Sequence, residues 1–113
     1  MRFVARRHQA FTLVEIMIVI MVIAILMSIS VPQFLSARTQ SQTSTCLENL
    51  KQIESAKETW AMQTKQSAGA TPAQSDIVPS FMKQFPSCPS AGTYTIGTLG
   101  VRPVCTVANH VLP

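Results

Sequence analysis

Apolar and polar positions divide the chain into parts of different character. Residues 11–31 read FTLVEIMIVIMVIAILMSISV, and no charged side chain occurs from position 16 through 37. At about 1.5 Å of helical rise per residue the apolar run spans roughly 31 Å, close to the hydrocarbon thickness of a bilayer. Beyond it the pattern becomes one-sided. Leu47, Leu50, Ile53, Ala56 and Trp60 recur at the spacing of a single helix face. Glu48–Lys51 and Glu54–Lys57 supply supporting pairs on the other side, and Glu54–Glu58 a mildly repulsive one. Residues 40–66 contain neither Gly nor Pro, whereas Gly69 and then Thr71-Pro72 end the pattern. Pro32 removes one backbone hydrogen bond and, with Ser28 and Ser30 beside it, predicts a kink and not a stop. The pattern therefore predicts one long helix: an apolar half over 11–37 and an amphipathic half over 38–68.

The remaining segment, 69–113, is short and rich in turn formers. Residues 76–82 predict a single helical turn that docks Phe81 and Phe85 on the long helix. Residues 92–96 alternate and are β-rich, so they predict a strand. Residues 101–107 predict a second, which Pro103 confines to an edge or a strand start. Gly97 and Gly100 bracket the intervening turn. The fold class expected is α+β: a long N-terminal helix and a small head with a short antiparallel β-hairpin.

Composition and charge change this picture in one respect. With 113 residues the chain is one domain at most, and its 47% apolar content describes neither part. The net charge of +4 is concentrated at the start, where Arg2, Arg6 and Arg7 precede the apolar run. After the first ten residues, six basic side chains face five acidic ones. That dispersed balance does not indicate DNA binding. The cationic cluster, set against a lone Arg38 after the run, predicts a cytoplasmic N-terminus by the positive-inside rule. A cleaved secretory signal would need a shorter apolar centre and a better site than Leu35-Ser36-Ala37. A plain signal anchor fits by length but gives no reason for Glu15. A carboxylate just inside an apolar span costs about 2.5 kcal/mol or more unless it is paired or reaches the interface. No side chain from 11 to 37 offers a cation; a new α-amino group would, if the chain were cut before Phe11.

The segment Ala10-Phe11-Thr12-Leu13-Val14-Glu15, preceded by the basic MRFVARRHQA, resembles the class III signal of type IV prepilins and type II secretion pseudopilins. Pro32 matches the proline common near the end of that family's membrane stretch, whereas Ala10 stands where the family usually has glycine. The resemblance implies a leader (1–10) removed by prepilin peptidase between Ala10 and Phe11, and N-methylation of Phe11. It further implies a homo-oligomeric filament in which Glu15 pairs with the Phe11 amine of a neighbour. The implied partners are an assembly ATPase, an inner-membrane platform and, before assembly, membrane lipid. The implied location is the bacterial inner membrane, single-pass, then a surface pilus or a periplasmic pseudopilus. The leading expectation is a type IV pilus-like subunit. A type II secretion pseudopilin is the alternative, and a signal-anchored, membrane-tethered binding domain ranks third. A looser resemblance joins the Cys-Pro-x-x-Gly-x-Tyr segment at 88–94 to the clipped heads of small pseudopilin-like proteins.

Three cysteines and few titratable groups complete the inventory. In an oxidising space Cys88 and Cys105 could close a disulfide around the hairpin, contributing about 3 kcal/mol in the chain-entropy model. Cys46, beside Leu47, is expected to be a small core residue. Zinc at Cys88, Cys105 and His110 ranks below the disulfide, because paired C-x-x-C spacing is missing. His110 is expected at the surface near the terminus. No catalytic residue, cofactor or metal site is assigned. One head carboxylate, Asp76, does not make a calcium loop, and no nucleophile has an evident base.

Overall fold

A threonine followed three residues later by a glutamate starts the first element. Thr12 Oγ1 accepts from the Glu15 backbone N–H at 3.2 Å, and a Glu15 carboxylate oxygen accepts from the Thr12 N–H at 3.3 Å. This reciprocal capping box satisfies N–H groups that a helix start leaves without intrahelical partners. The helix it opens, α1, runs unbroken from Leu13 to Thr64. The computed structural model describes residues 9–113. Arg2, Arg6, Arg7 and the rest of the expected leader up to His8 lie outside the described residues. The chain divides into two compact units, meeting between Ser36 and Ala37.

In the first unit α1 continues through Pro32, so the proline does not stop the helix. Ser28 and Ser30 bond back to the carbonyls of Ile25 and Leu26 at 2.7 and 2.9 Å. Their hydroxyls are thereby satisfied within the helix, as an apolar surrounding requires. Every described residue of this unit is exposed.

In the second unit one face of α1 supplies the floor of a core. Cys46, Leu50 and Ile53 are fully buried and join Cys88, Tyr94 and Leu112, with Leu47, Met82, Phe85, Ile96, Cys105 and Val107 packed around them. The predicted face is thus the buried one, with Ala56 buried and Trp60 half-buried. Lys57 corrects the reading of the opposite side. It is 2% exposed and belongs to the core face, not to the solvated one.

The helix ends at Thr64, short of the expected residue 68. Lys65 adopts a left-handed φ of 54°, and the Gln66 N–H reaches back to the Ala61 carbonyl at 3.0 Å. This is the 6→1 bond of a Schellman-type cap, built here without glycine; Gly69, at φ 93°, only turns the loop that follows. The single turn expected over 76–82 lies earlier, as α2, Gln74–Ile77, whose Asp76 carboxylate accepts from the Ala73 N–H at 2.8 Å. Ile77 is buried, Phe81 half-buried, and Phe85 meets Tyr94 edge-on with ring centroids 6.4 Å apart. The hairpin is present but short. β1, Tyr94–Thr95, pairs antiparallel with β2, Val104–Cys105, in the register Tyr94↔Cys105 and Thr95↔Val104. Pro103 immediately precedes β2, where its missing N–H interrupts no ladder bond.

Candidate functional site

The residues expected to govern processing and assembly lie together at the start of α1. Ala10 and Phe11 precede the helix and are exposed, Phe11 by 80%. Glu15 sits in the first turn, where the positive end of the helix dipole favours a carboxylate. Its capping bonds to Thr12 give it a role within the single chain. The Thr12-x-x-Glu15 spacing was a legible signal of that role. Along the apolar half of α1, Leu13, Ile16, Ile20, Ile23, Met27 and Phe34 are all about half exposed or more. The most apolar stretch of α1 has a mean hydropathy of 2.8 and no buried residue. An uncovered apolar surface of this extent marks a membrane or protein contact.

The head holds a second constellation. Cys46 arrives from α1, Cys88 from the turn after Phe85, Cys105 from β2 and His110 from the C-terminal turn. Their Sγ atoms and an imidazole nitrogen all lie within 4.8 Å of one another. The three cysteines are free thiols in the structure. Cys88 and Cys105 are therefore brought together as members of a set of four and not as an isolated pair. His110, expected at the surface, is only 4% exposed. Its Nδ1 lies 3.6 Å from Cys88 Sγ, and its Nε2 lies 3.2 Å from Thr43 Oγ1.

The four groups differ electrostatically. Burial pushes the Cys46 thiol up to about 12, although the Tyr94 hydroxyl works in the opposite direction. Burial also raises Cys88, but backbone N–H groups of Ser90 and Gly92, with His110 and Cys46, outweigh it and bring that thiol to about 6. Gly92 is required for this approach: a Cβ there would stand 2.7 Å from Cys105 Sγ and 3.2 Å from Cys88 Sγ. Sequence reasoning named Cys88, Cys105 and His110 together but ranked zinc there below a disulfide, and it left Cys46 out as a core residue, since the four positions share no motif spacing.

Lys57 anchors the hairpin turn beside the cluster's strand. Its ammonium donates to the carbonyls of Ile96 at 3.2 Å and Thr98 at 3.1 Å, and to that of Val101. Burial pulls the amine below its ordinary value, and Glu54 and Glu58 act against that shift. Asn49 Nδ2 adds bonds to the Ser87 carbonyl at 3.3 Å and the Tyr94 hydroxyl at 3.0 Å. These polar contacts position the loops that carry Cys88 and Cys105.

Compared with known proteins, residues 5–31 match the prokaryotic N-terminal methylation motif. No curated protein and no solved structure matches the chain. The motif supports a type IV pilin-like or pseudopilin protein. Together with the long apolar helix it is consistent with a membrane-anchored, single-pass chain.

Proposed function

Starting from a chain that carries the pilin-type methylation signal, we propose that it is a non-enzymatic structural subunit of a type IV pilus-like filament, built by side-by-side packing of the apolar half of α1. The observation that carries this reading is the uncovered apolar helix. From Phe11 to Leu35 the large hydrophobic side chains are about half exposed or more. Lipid satisfies that surface in the single subunit, and neighbouring helices satisfy it in the filament. Prepilin peptidase cuts between Ala10 and Phe11, and the new Phe11 amine is methylated. An assembly ATPase and an inner-membrane platform then move the subunit from lipid to filament. The N-terminus starts on the cytoplasmic side and the head lies beyond the membrane.

Glu15 gives assembly its register. In an apolar bundle its carboxylate and the Phe11 amine of a neighbour each cancel the other's burial cost only where two subunits meet correctly. Within one chain the same carboxylate caps α1, so the two roles must be separated. Glu15→Gln retains a side-chain oxygen able to complete the capping box but loses the charge. Glu15→Ala loses both. Sheared-filament yield, measured against membrane-fraction abundance, distinguishes the roles. Charge pairing predicts that both variants insert normally and that both lose most of the filament yield, Glu15→Ala at least as severely. Wild-type yield from Glu15→Gln alongside loss in Glu15→Ala would reduce Glu15 to a helix cap.

A further inference from the structure

We propose that Cys46, Cys88, Cys105 and His110 form a zinc site that clamps the head of this protein together. Three independent features of the structure lead to it.

The first is the donor set. Three sulfurs and one imidazole nitrogen converge within 4.8 Å, drawn from four separate segments of the chain. A tetrahedral zinc with bonds of about 2.3 Å to sulfur and about 2.0–2.1 Å to nitrogen places its sulfurs roughly 3.8 Å apart. The sulfur–nitrogen separation is then roughly 3.6 Å. The observed distance from Cys88 Sγ to His110 Nδ1 is 3.6 Å. Soft thiolates with one imidazole select zinc over hard, oxygen-seeking cations, and a four-donor set closes the coordination sphere. The site is thus structural in kind.

The second is the surrounding shell. Thr43 Oγ1 donates to the Thr39 carbonyl at 3.0 Å, so its one proton is committed. With that proton donated to Thr39, the hydroxyl accepts from His110 at 3.2 Å, an arrangement that assigns the ring hydrogen to Nε2. That tautomer leaves the Nδ1 lone pair aimed at Cys88 Sγ and the cluster. A ligating histidine is held in this way, with its second nitrogen donating to a fixed acceptor.

The third is burial. Cys46, Cys88 and His110 are buried, and so is the Tyr94 side chain beside them. A Cys88–Cys105 bridge would use two of the four groups and give no account of the other two. Zinc uses all four. It ties α1, the 88–92 turn, β2 and the C-terminal turn at one point, in a head whose core is too small to be secure without a staple. Binding releases thiol protons to solvent as the three Zn–S bonds form, with no change of oxidation state.

The full chain, purified in detergent without a histidine tag and without added metal, is the material for the test. Elemental analysis is expected to find about one zinc per chain. Replacement by cobalt should produce the ligand-field bands of a tetrahedral ion, with strong sulfur-to-metal charge transfer from three thiolates. Thr43→Ala is expected to weaken zinc affinity about 10–100-fold, while Thr43→Ser restores it. His110→Ala and Cys46→Ser should each lose zinc in a stoichiometric assay. The wild-type cobalt spectrum decides the matter even if those variants misfold. Metal-free protein with Cys88 and Cys105 linked in a non-reducing peptide map would overturn the proposal. An octahedral or sulfur-free cobalt spectrum, or zinc retained equally by His110→Ala and Cys46→Ser, would also overturn it.

Discussion

The ammonium of Lys57 carries three protons and meets three carbonyls of the 96–101 turn. Each carbonyl left without a partner in a buried place costs about 1–3 kcal/mol. Lys57→Met keeps the aliphatic stem and removes only the donors. It is expected to destabilise the head by at least about 2 kcal/mol, read from denaturant unfolding of the full chain followed by Trp60 fluorescence. An unchanged midpoint would make Lys57 a passive core filler. Such residues are the ones sequence reading misplaces. Lys57 stands three positions after Glu54, the spacing of a solvated pair, and its carbonyl partners lie 39 to 44 residues away. His110 was misplaced for the same reason, since its partners Thr43 and Cys88 are distant in sequence. At Glu15 a local signal went unread: the spacing from Thr12 made its cap legible, beside the separate question of its charge.

At the scale of elements, α1 places two kinds of apolar surface on one continuous helix. Its periodicity beyond position 40 identified the buried face, because Leu50 and Ile53 could meet the head only by sharing one side. The hairpin was equally legible from Gly97, Gly100 and the alternation before them. The helix end was not, because Lys65 adopts a left-handed conformation that ordinarily belongs to glycine. The two surfaces should separate in mutagenesis. Leu50→Ala opens a cavity in the head and is expected to cost about 2–5 kcal/mol in its unfolding. Ile20→Ala, on the uncovered half, should leave head stability within about 0.5 kcal/mol and lower filament yield instead. A head destabilised as much by Ile20→Ala as by Leu50→Ala would refute this division.

In the whole molecule, the helix proposed to assemble continues into a small head held by a few polar and sulfur contacts. The assembly reading rests on the methylation motif over residues 5–31 and on the uncovered helix. The head contributes surface and integrity. Its four-donor cluster was the part least legible in advance, because four segments supply it and no two ligands show a metal-site spacing. The central claim is that this chain becomes a filament subunit through processing at the start of its apolar helix. Mass spectrometry of the chain recovered from sheared filaments tests that claim most directly, combining the intact mass with the N-terminal peptide. The expected result is a chain that begins at Phe11 with a methylated amine and is missing residues 1–10. A chain that retains its leader, or one that begins at Arg38 after removal of the apolar run, would contradict it.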